Sequence, residues 1–264
     1  MLIMNAPDSP GSAWCRLRDE IFLAIGFLTR LPVPAAADYR PGALAQAMRM
    51  FPLAGAVIGA LGGGFYVLAF APLPPLPAAL LAVLVMVMIT GGLHEDGLAD
   101  SADGLGARGG REKRLEVMRD SRSGTYGVLA LIFSVALRVT ALAEAPSAWA
   151  GLGACMAVAA LSRAMIPAFM QVLPPARSDG LGASAGTPHA GIAATAMVLG
   201  AVIAALGLAW AAPAAILAAV IGAALAAWVA KRCFGGFTGD ILGAIQQMAE
   251  LAMWLVIAHY WASY

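Results

Sequence analysis

Within the stretch Gly91-Gly-Leu-His-Glu-Asp-Gly-Leu-Ala-Asp-Ser-Ala-Asp-Gly-Leu-Gly106, three carboxylates, Asp96, Asp100 and Asp103, recur at i, i+4 and i+7. If the stretch is helical, all three lie on one face. Three carboxylates on one face repel, and a divalent cation relieves the repulsion. Hard oxygen ligands suit Mg²⁺ or Mn²⁺ rather than zinc. Magnesium takes one or two carboxylates and completes its shell with water and phosphate oxygens, so the stripe is a candidate diphosphate clamp. His94 and Glu95 stand beside Asp96, and the three together are the candidate catalytic residues. An acidic loop end can also be merely solvated, but this one adjoins a long apolar run and sits among closely spaced glycines, where solvation alone is a poor account.

Two further segments carry charge in a suggestive setting. In Arg119-Asp-Ser-Arg-Ser-Gly-Thr-Tyr126, arginines, hydroxyls and a glycine precede a helix expected to begin near Thr125. Arginine forks and helix N-termini both bind phosphate, which makes Arg119, Asp120, Ser121, Arg122 and Thr125 candidate substrate contacts. The neighbouring Arg111, Lys113 and Arg114 are adequately explained by membrane topology. Near the C-terminus, Asp240 opens a helix after a glycine-rich turn, with Glu250 deeper within it. Asp240 fits either a helix N-terminus or a second metal or substrate contact. Arg138 and Arg163 fall inside apolar runs, so both are expected to face the protein interior and to meet a carboxylate or an anionic ligand.

The elements that must position these groups are membrane helices. Of 264 residues, 61% are hydrophobic and 12% charged, with a mean hydropathy of +0.82. A soluble domain carries about 25% charge. Apolar runs long enough to cross a bilayer of about 30 Å occur near 44–71, 77–95, 124–144, 148–172, 190–210, 212–230 and 239–261. The expected fold is therefore all-α, a polytopic membrane bundle of about seven helices. Residues 41–264 form the bundle, and residues 1–40 form a cytosolic arm with an interfacial or re-entrant helix. The acidic stripe is expected on a continuation of the second span. The spacing Gly55-x-x-x-Gly59 suits close helix packing, and no signal peptide is visible at the N-terminus. Cys15, Cys155 and Cys233 are widely separated, which suggests neither disulfides nor a thiolate metal site.

Lys and Arg concentrate before the first span and in the loops after the second, fourth and sixth. By the positive-inside rule those loops are cytoplasmic, so the N-terminus and the acidic stripe lie inside and the C-terminus outside. An inner-membrane, multi-pass protein in contact with the lipid bilayer follows, and no nucleic-acid partner is expected.

Residues 93–104, 118–128 and 236–244 with Glu250 resemble the three signature blocks of the cobalamin-5'-phosphate synthase family. The segments Phe27-Leu-Thr-Arg-Leu-Pro-Val-Pro34 and Phe51-Pro-Leu-Ala-Gly55 fit as well, and the likeness runs from about residue 20 to 262. It implies that α-ribazole, or its 5'-phosphate, displaces GMP from adenosylcobinamide-GDP with Mg²⁺ required, giving adenosylcobalamin or its 5'-phosphate. Two rivals are weaker. Asp100-x-x-Asp-Gly-x-x-Ala-Arg108 matches half of the CDP-alcohol phosphotransferase signature, but Val117, Ser121 and Thr125 stand where its second half needs Gly, Asp and Asp. A transporter would gather its polar residues at the bilayer midplane, whereas this stripe lies at the edge of a span.

Overall fold

The computed structural model describes residues 10–34, 42–120, 122–177 and 185–263. Every named element in it is helical: α1 (Pro10–Leu28), α2 (Ala43–Ala47), α3 (Phe51–Phe70), α4 (Pro75–Thr90), α5 (Leu93–Gly106), α6 (Arg111–Val117), α7 (Thr125–Ala143), α8 (Ala148–Met170), α9 (Ala190–Leu208), α10 (Ala212–Cys233) and α11 (Gly239–Ala262). Short 3₁₀ turns, Met48–Met50 and Ala209–Ala211, join α2 to α3 and α9 to α10.

Helices α8 and α11 form the centre. Helix α8 packs against α3, α9 and α11, and α11 packs in addition against α5, α7 and α10. Large apolar side chains such as Leu68, Phe133 and Leu206 point outward and stay exposed, as they should where lipid rather than water is the solvent. Five continuous helical stretches are long and apolar enough to cross a membrane. The longest, Ala190–Cys233, has 44 residues, or about 66 Å at 1.5 Å per residue. That is room for two crossings, and the chain breaks between α9 and α10 at Ala209, whose φ is 48°. With α4, which has 16 residues, added, the described helices allow up to seven crossings, roughly consistent with the expected number and, at most ends, with the expected boundaries within a few residues.

The second span departs from expectation. It does not run on through residue 95 into the acidic stripe. Helix α4 stops at Thr90, and α5 leaves it at 89°. The reason is local. Gly91 and Gly92 both adopt left-handed backbone, with φ 65° and 70°. Gly92 N–H donates to Val87 O at 3.0 Å and Gly91 N–H to Met88 O at 3.2 Å, the paired bonds that end a helix at a left-handed glycine. Helix α5, with four acidic residues in fourteen, is thus turned out of the spanning direction and laid against α7 and α11.

The chain alternates direction at each crossing, so the starts of α3, α7 and α11 and the ends of α4 and α8 share one end of the bundle. An isolated parallel bridge there, Pro175 to Phe237, is closed by Ala176 N–H to Phe237 O at 2.8 Å and Phe237 N–H to Pro174 O at 2.9 Å. It ties the segment after α8 to the start of α11. Helix α1 packs on α2 and α3, and Arg49 donates to both Glu20 oxygens at 2.5 and 2.8 Å.

Gly55 and Gly59 lie against the backbone of Ala159 and Cys155 on α8, with no room for a Cβ, whereas Gly64 faces open space. Gly55→Leu or Gly59→Leu should therefore force α3 and α8 apart, at about 1–3 kcal/mol or more. Gly64→Ala should leave the protein unchanged or stabilise it by up to about 1 kcal/mol through helix propensity. Thermal midpoints of purified protein in one detergent check both, and a Gly55→Leu protein as stable as Gly64→Ala would refute this packing.

Candidate active site

Helix α5 carries the stripe, and its close approach to α11 sets where the stripe lies. A Cβ on Gly97 would sit 2.6 Å from Asp240 O, so glycine alone allows this contact. Asp96 is exposed, while Asp100 and Asp103 are half-buried. Burial raises the Asp100 carboxyl to about 7, and the charges of Asp96, Asp240 and Asp103 add to the effect. The three sequence-predicted carboxylates and Asp240 thus share one electrostatic neighbourhood.

A divalent cation suits this donor set. Among the described residues no group of three or more His, Cys, Asp or Glu side chains converges tightly enough to form a cage. A cage is what calcium or zinc needs, whereas magnesium uses one or two carboxylates and takes its other ligands from water and phosphate. The anionic pressure on Asp100 is the kind of charge that such an ion offsets. Asp103 has a second duty. It accepts hydrogen bonds from Gly124 N–H at 2.7 Å and Gly127 N–H at 2.9 Å, satisfying backbone donors at the start of α7.

Two cavities flank the stripe. The first, about 240 Å³, is lined by Phe27, Phe51, Met170, His94, Asp96 and Asp240 among others, with Arg177 on its polar side. Arg177 lies 3.6 Å from Asp240, and Thr238 donates to Asp240 at 3.3 Å while capping α11 through Ile241 N–H. The second, about 450 Å³ and more open, is lined by Asp103, Asp120, Arg122, Gly124, Thr125 and Tyr126. Arg122 donates to Asp120 at 2.7 and 3.1 Å, and these bonds hold the Asp120 carboxyl down at about 2. Arg119 is exposed just ahead of this cavity, and Ser121 lies outside the described residues.

The two candidate bases separate clearly. His94 is buried, lines the first cavity, and its Nε2 has no hydrogen-bond partner. Burial, followed by the Arg163 charge, lowers its imidazole to about 3, so the ring is neutral. Glu95 points into the bundle and is held there by partners. Its Oε1 receives Arg138 Nη1 at 2.7 Å and Gln247 Nε2 at 3.4 Å. Arg138 lies also 3.6 Å from Glu250. Gln246 bridges Glu250 at 2.7 Å to Ser162 at 2.8 Å, and Ser134 donates to Gln247 at 3.0 Å. Arg163 donates to Ala159 O at 3.0 Å.

Arg138 and Arg163 therefore lie in the interior as expected of intramembrane cations, and they line neither cavity. Two buried arginines face two buried glutamates, so the interior cluster is charge-balanced. Sequence reasoning passed over three contributors. Arg177, one of the cations in the loop after the fourth span, pairs with Asp240. The pair Gln246 and Gln247 was a visible signal, since two adjacent amides inside an apolar helix need partners. Arg111, assigned to topology, donates to Ala176 O at 2.6 Å and so supports the bridge beside α11.

Fold and site together define a polytopic helical membrane protein with its polar chemistry gathered at one end of the bundle, around an acidic helix set between two cavities. The family model described as cobalamin-5-phosphate synthase matches residues 20–258, and the chain belongs to that family. Curated relatives named adenosylcobinamide-GDP ribazoletransferase include that of Bradyrhizobium diazoefficiens, 46% identical over 91% of this chain and 94% of its own. That of Azorhizobium caulinodans is 42% identical over 93% of this chain and 97% of its own. No solved structure matches significantly.

Removing one partner of a buried ion pair leaves the others uncompensated, at about 3–5 kcal/mol. Arg138→Leu should lose that much stability, and adding Glu95→Gln should restore part of it. Thermal unfolding of the single and double variants measures the coupling, and strictly additive losses would mean that the two residues do not act as a pair.

Proposed function

We propose that this chain joins α-ribazole or its 5'-phosphate to adenosylcobinamide-GDP and releases GMP, a last step in assembling the nucleotide loop of a cobalamin. The observation that carries this reading is the acidic face of α5 lying between two cavities. Asp96 lines one and Asp103 the other, with Asp100 between them. A two-substrate transfer needs such an arrangement, in which each substrate approaches from its own side and the phosphorus sits over the stripe.

In the reaction a ribose hydroxyl of the nucleoside attacks the phosphorus bound to cobinamide. A new P–O bond forms, the bond from that phosphorus to the bridging oxygen of the diphosphate breaks, and its electron pair leaves with GMP. The hydroxyl proton needs an acceptor within reach. His94 is our choice over Glu95, because it lines the first cavity and its neutral ring has an unpartnered Nε2, while Glu95 is held by Arg138. Asp96 and Asp100 would hold Mg²⁺, with Asp103 adding charge while it secures α7. When bound, the ion neutralises the diphosphate and stabilises the departing GMP. Arg122, with Thr125 and the N–H groups that open α7, is placed to grip phosphate from the second cavity, and Arg119 stands next to it. Asp240, paired with Arg177, borders the first cavity.

Purified protein should release GMP from adenosylcobinamide-GDP only when α-ribazole or its phosphate is present, and chelation should stop it. Asp96→Asn and Asp100→Asn should cost orders of magnitude in kcat at near-normal thermal stability. Asp103→Asn should lower both activity and stability, since it also weakens the start of α7. Near-normal turnover of all three variants would sink the metal assignment.

The Lys and Arg asymmetry supports an active site that faces the cytoplasm from the inner membrane. A reporter fused after Tyr264 that works only in the cytosol should stay dark, and one fused to the loop around Arg108 should be active. The reverse pattern would overturn the orientation.

A further inference from the structure

The first cavity differs in kind from the second. It is closed on one side by Phe27 and Phe51, whose rings lie nearly parallel, 5.8 Å between centroids and 11° between planes. Leu28, Met48, Ile166 and Met170 continue that wall. Its polar groups come from the other side, where His94 and Asp96 of α5 meet Asp240 of α11 and Arg177. At about 240 Å³ it falls below the roughly 300–1,000 Å³ of sites for drug-sized ligands. It can take one bicyclic ring system and part of a sugar, and it excludes a corrin.

From this shape we infer that the cavity is the base subsite for the nucleoside nucleophile, taking a flat heteroaromatic base whose far edge is apolar, with the ribose directed at α5. The inference rests on the transferase reading above. It discriminates between the two bases that the reaction brings. Guanine carries hydrogen-bonding groups around most of its rim, and those facing Phe51, Ile166 and Met170 would be stripped of water with nothing in return. The dimethylated benzimidazole of α-ribazole presents two methyl groups and aromatic C–H to that wall. Stacked and edge contacts with Phe27 and Phe51 then add to its burial. Seating the base there brings the ribose to the α5 wall of the cavity, formed by His94 and Asp96. Selectivity for the nucleophile would lie with α1, the start of α3 and the end of α8, apart from the phosphate-gripping loop before α7.

The test uses the full-length protein in detergent or nanodiscs. Direct binding of labelled α-ribazole is measured with free 5,6-dimethylbenzimidazole or guanosine as competitor, beside steady-state kinetics of the wild type and of the cavity-filling variants Ile166→Phe and Met170→Trp. Dimethylbenzimidazole should displace α-ribazole and guanosine should not. Filling the cavity should raise KM for α-ribazole at least tenfold and leave KM for adenosylcobinamide-GDP within about twofold. An equal or larger rise for the cobinamide substrate, or displacement by guanosine alone, would overturn the assignment. Where a filled variant fails to accumulate, the competition measured on the wild type decides. Displacement by dimethylbenzimidazole without any GMP release would defeat the transferase reading and support the subsite. Normal turnover with both KM values indifferent to the filled cavity would defeat the subsite alone.

Discussion

The pairing of Arg138 with Glu95 and Glu250 is the constraint on which the site depends. It joins three helices far apart in sequence, α5, α7 and α11, and the amides of Gln246 and Gln247 extend it to Ser162 on α8. Buried charges in a membrane protein are costly unless paired and hydrogen-bonded. Bringing these helices together in one register lets the chain bury these charges beside partners. Helix α5 is short and cannot span, so it has little of its own to hold it in place. Glu95 anchors its inner face, and the same helix geometry then turns Asp96, Asp100 and Asp103 the other way. A structural acid and the reactive acids thus sit on one helix with separate tasks.

Two kinds of small residue make this possible. Gly91 and Gly92 redirect the chain by 89°, so the acidic helix crosses the end of the bundle instead of extending from it. Gly97 lets the α5 backbone come against Asp240. Without the first, the carboxylates would project away from the protein. Without the second, the stripe and the start of α11 would not share one neighbourhood, and Asp100 would not feel Asp240.

Much of this was legible beforehand, and the reasons are physical. Apolar length is a direct signal for crossings, and the i, i+4, i+7 spacing of Asp96, Asp100 and Asp103 holds on any helix whatever its direction. The starts of α7 and α11 were marked by Gly124 and by the glycine-rich turn at Gly235 and Gly236. The direction of α5 was not legible, because a glycine pair inside an apolar run is compatible with a continuing helix, a kink or a stop. Which of His94 and Glu95 is held in an ion pair was equally hidden, since adjacent residues differ by about 100° around a helix and only the position of Arg138 decides. The aromatic wall of Phe27 and Phe51 depends on a contact between α1 and α3 that no periodicity encodes.

The reach of the buried ion cluster bears on how the protein is made. Glu95 and its amide partner Gln247 are 152 residues apart, so α11 is made well after α5. At about 5–20 residues per second, on the order of ten to thirty seconds of translation separate them. During that interval α7 carries Arg138 into the membrane with Glu95 near it but without Glu250. Until α11 joins, the Arg138–Glu95 pair stands without Glu250 and the two glutamine amides, so the cluster that fixes α5 is completed in two separate stages.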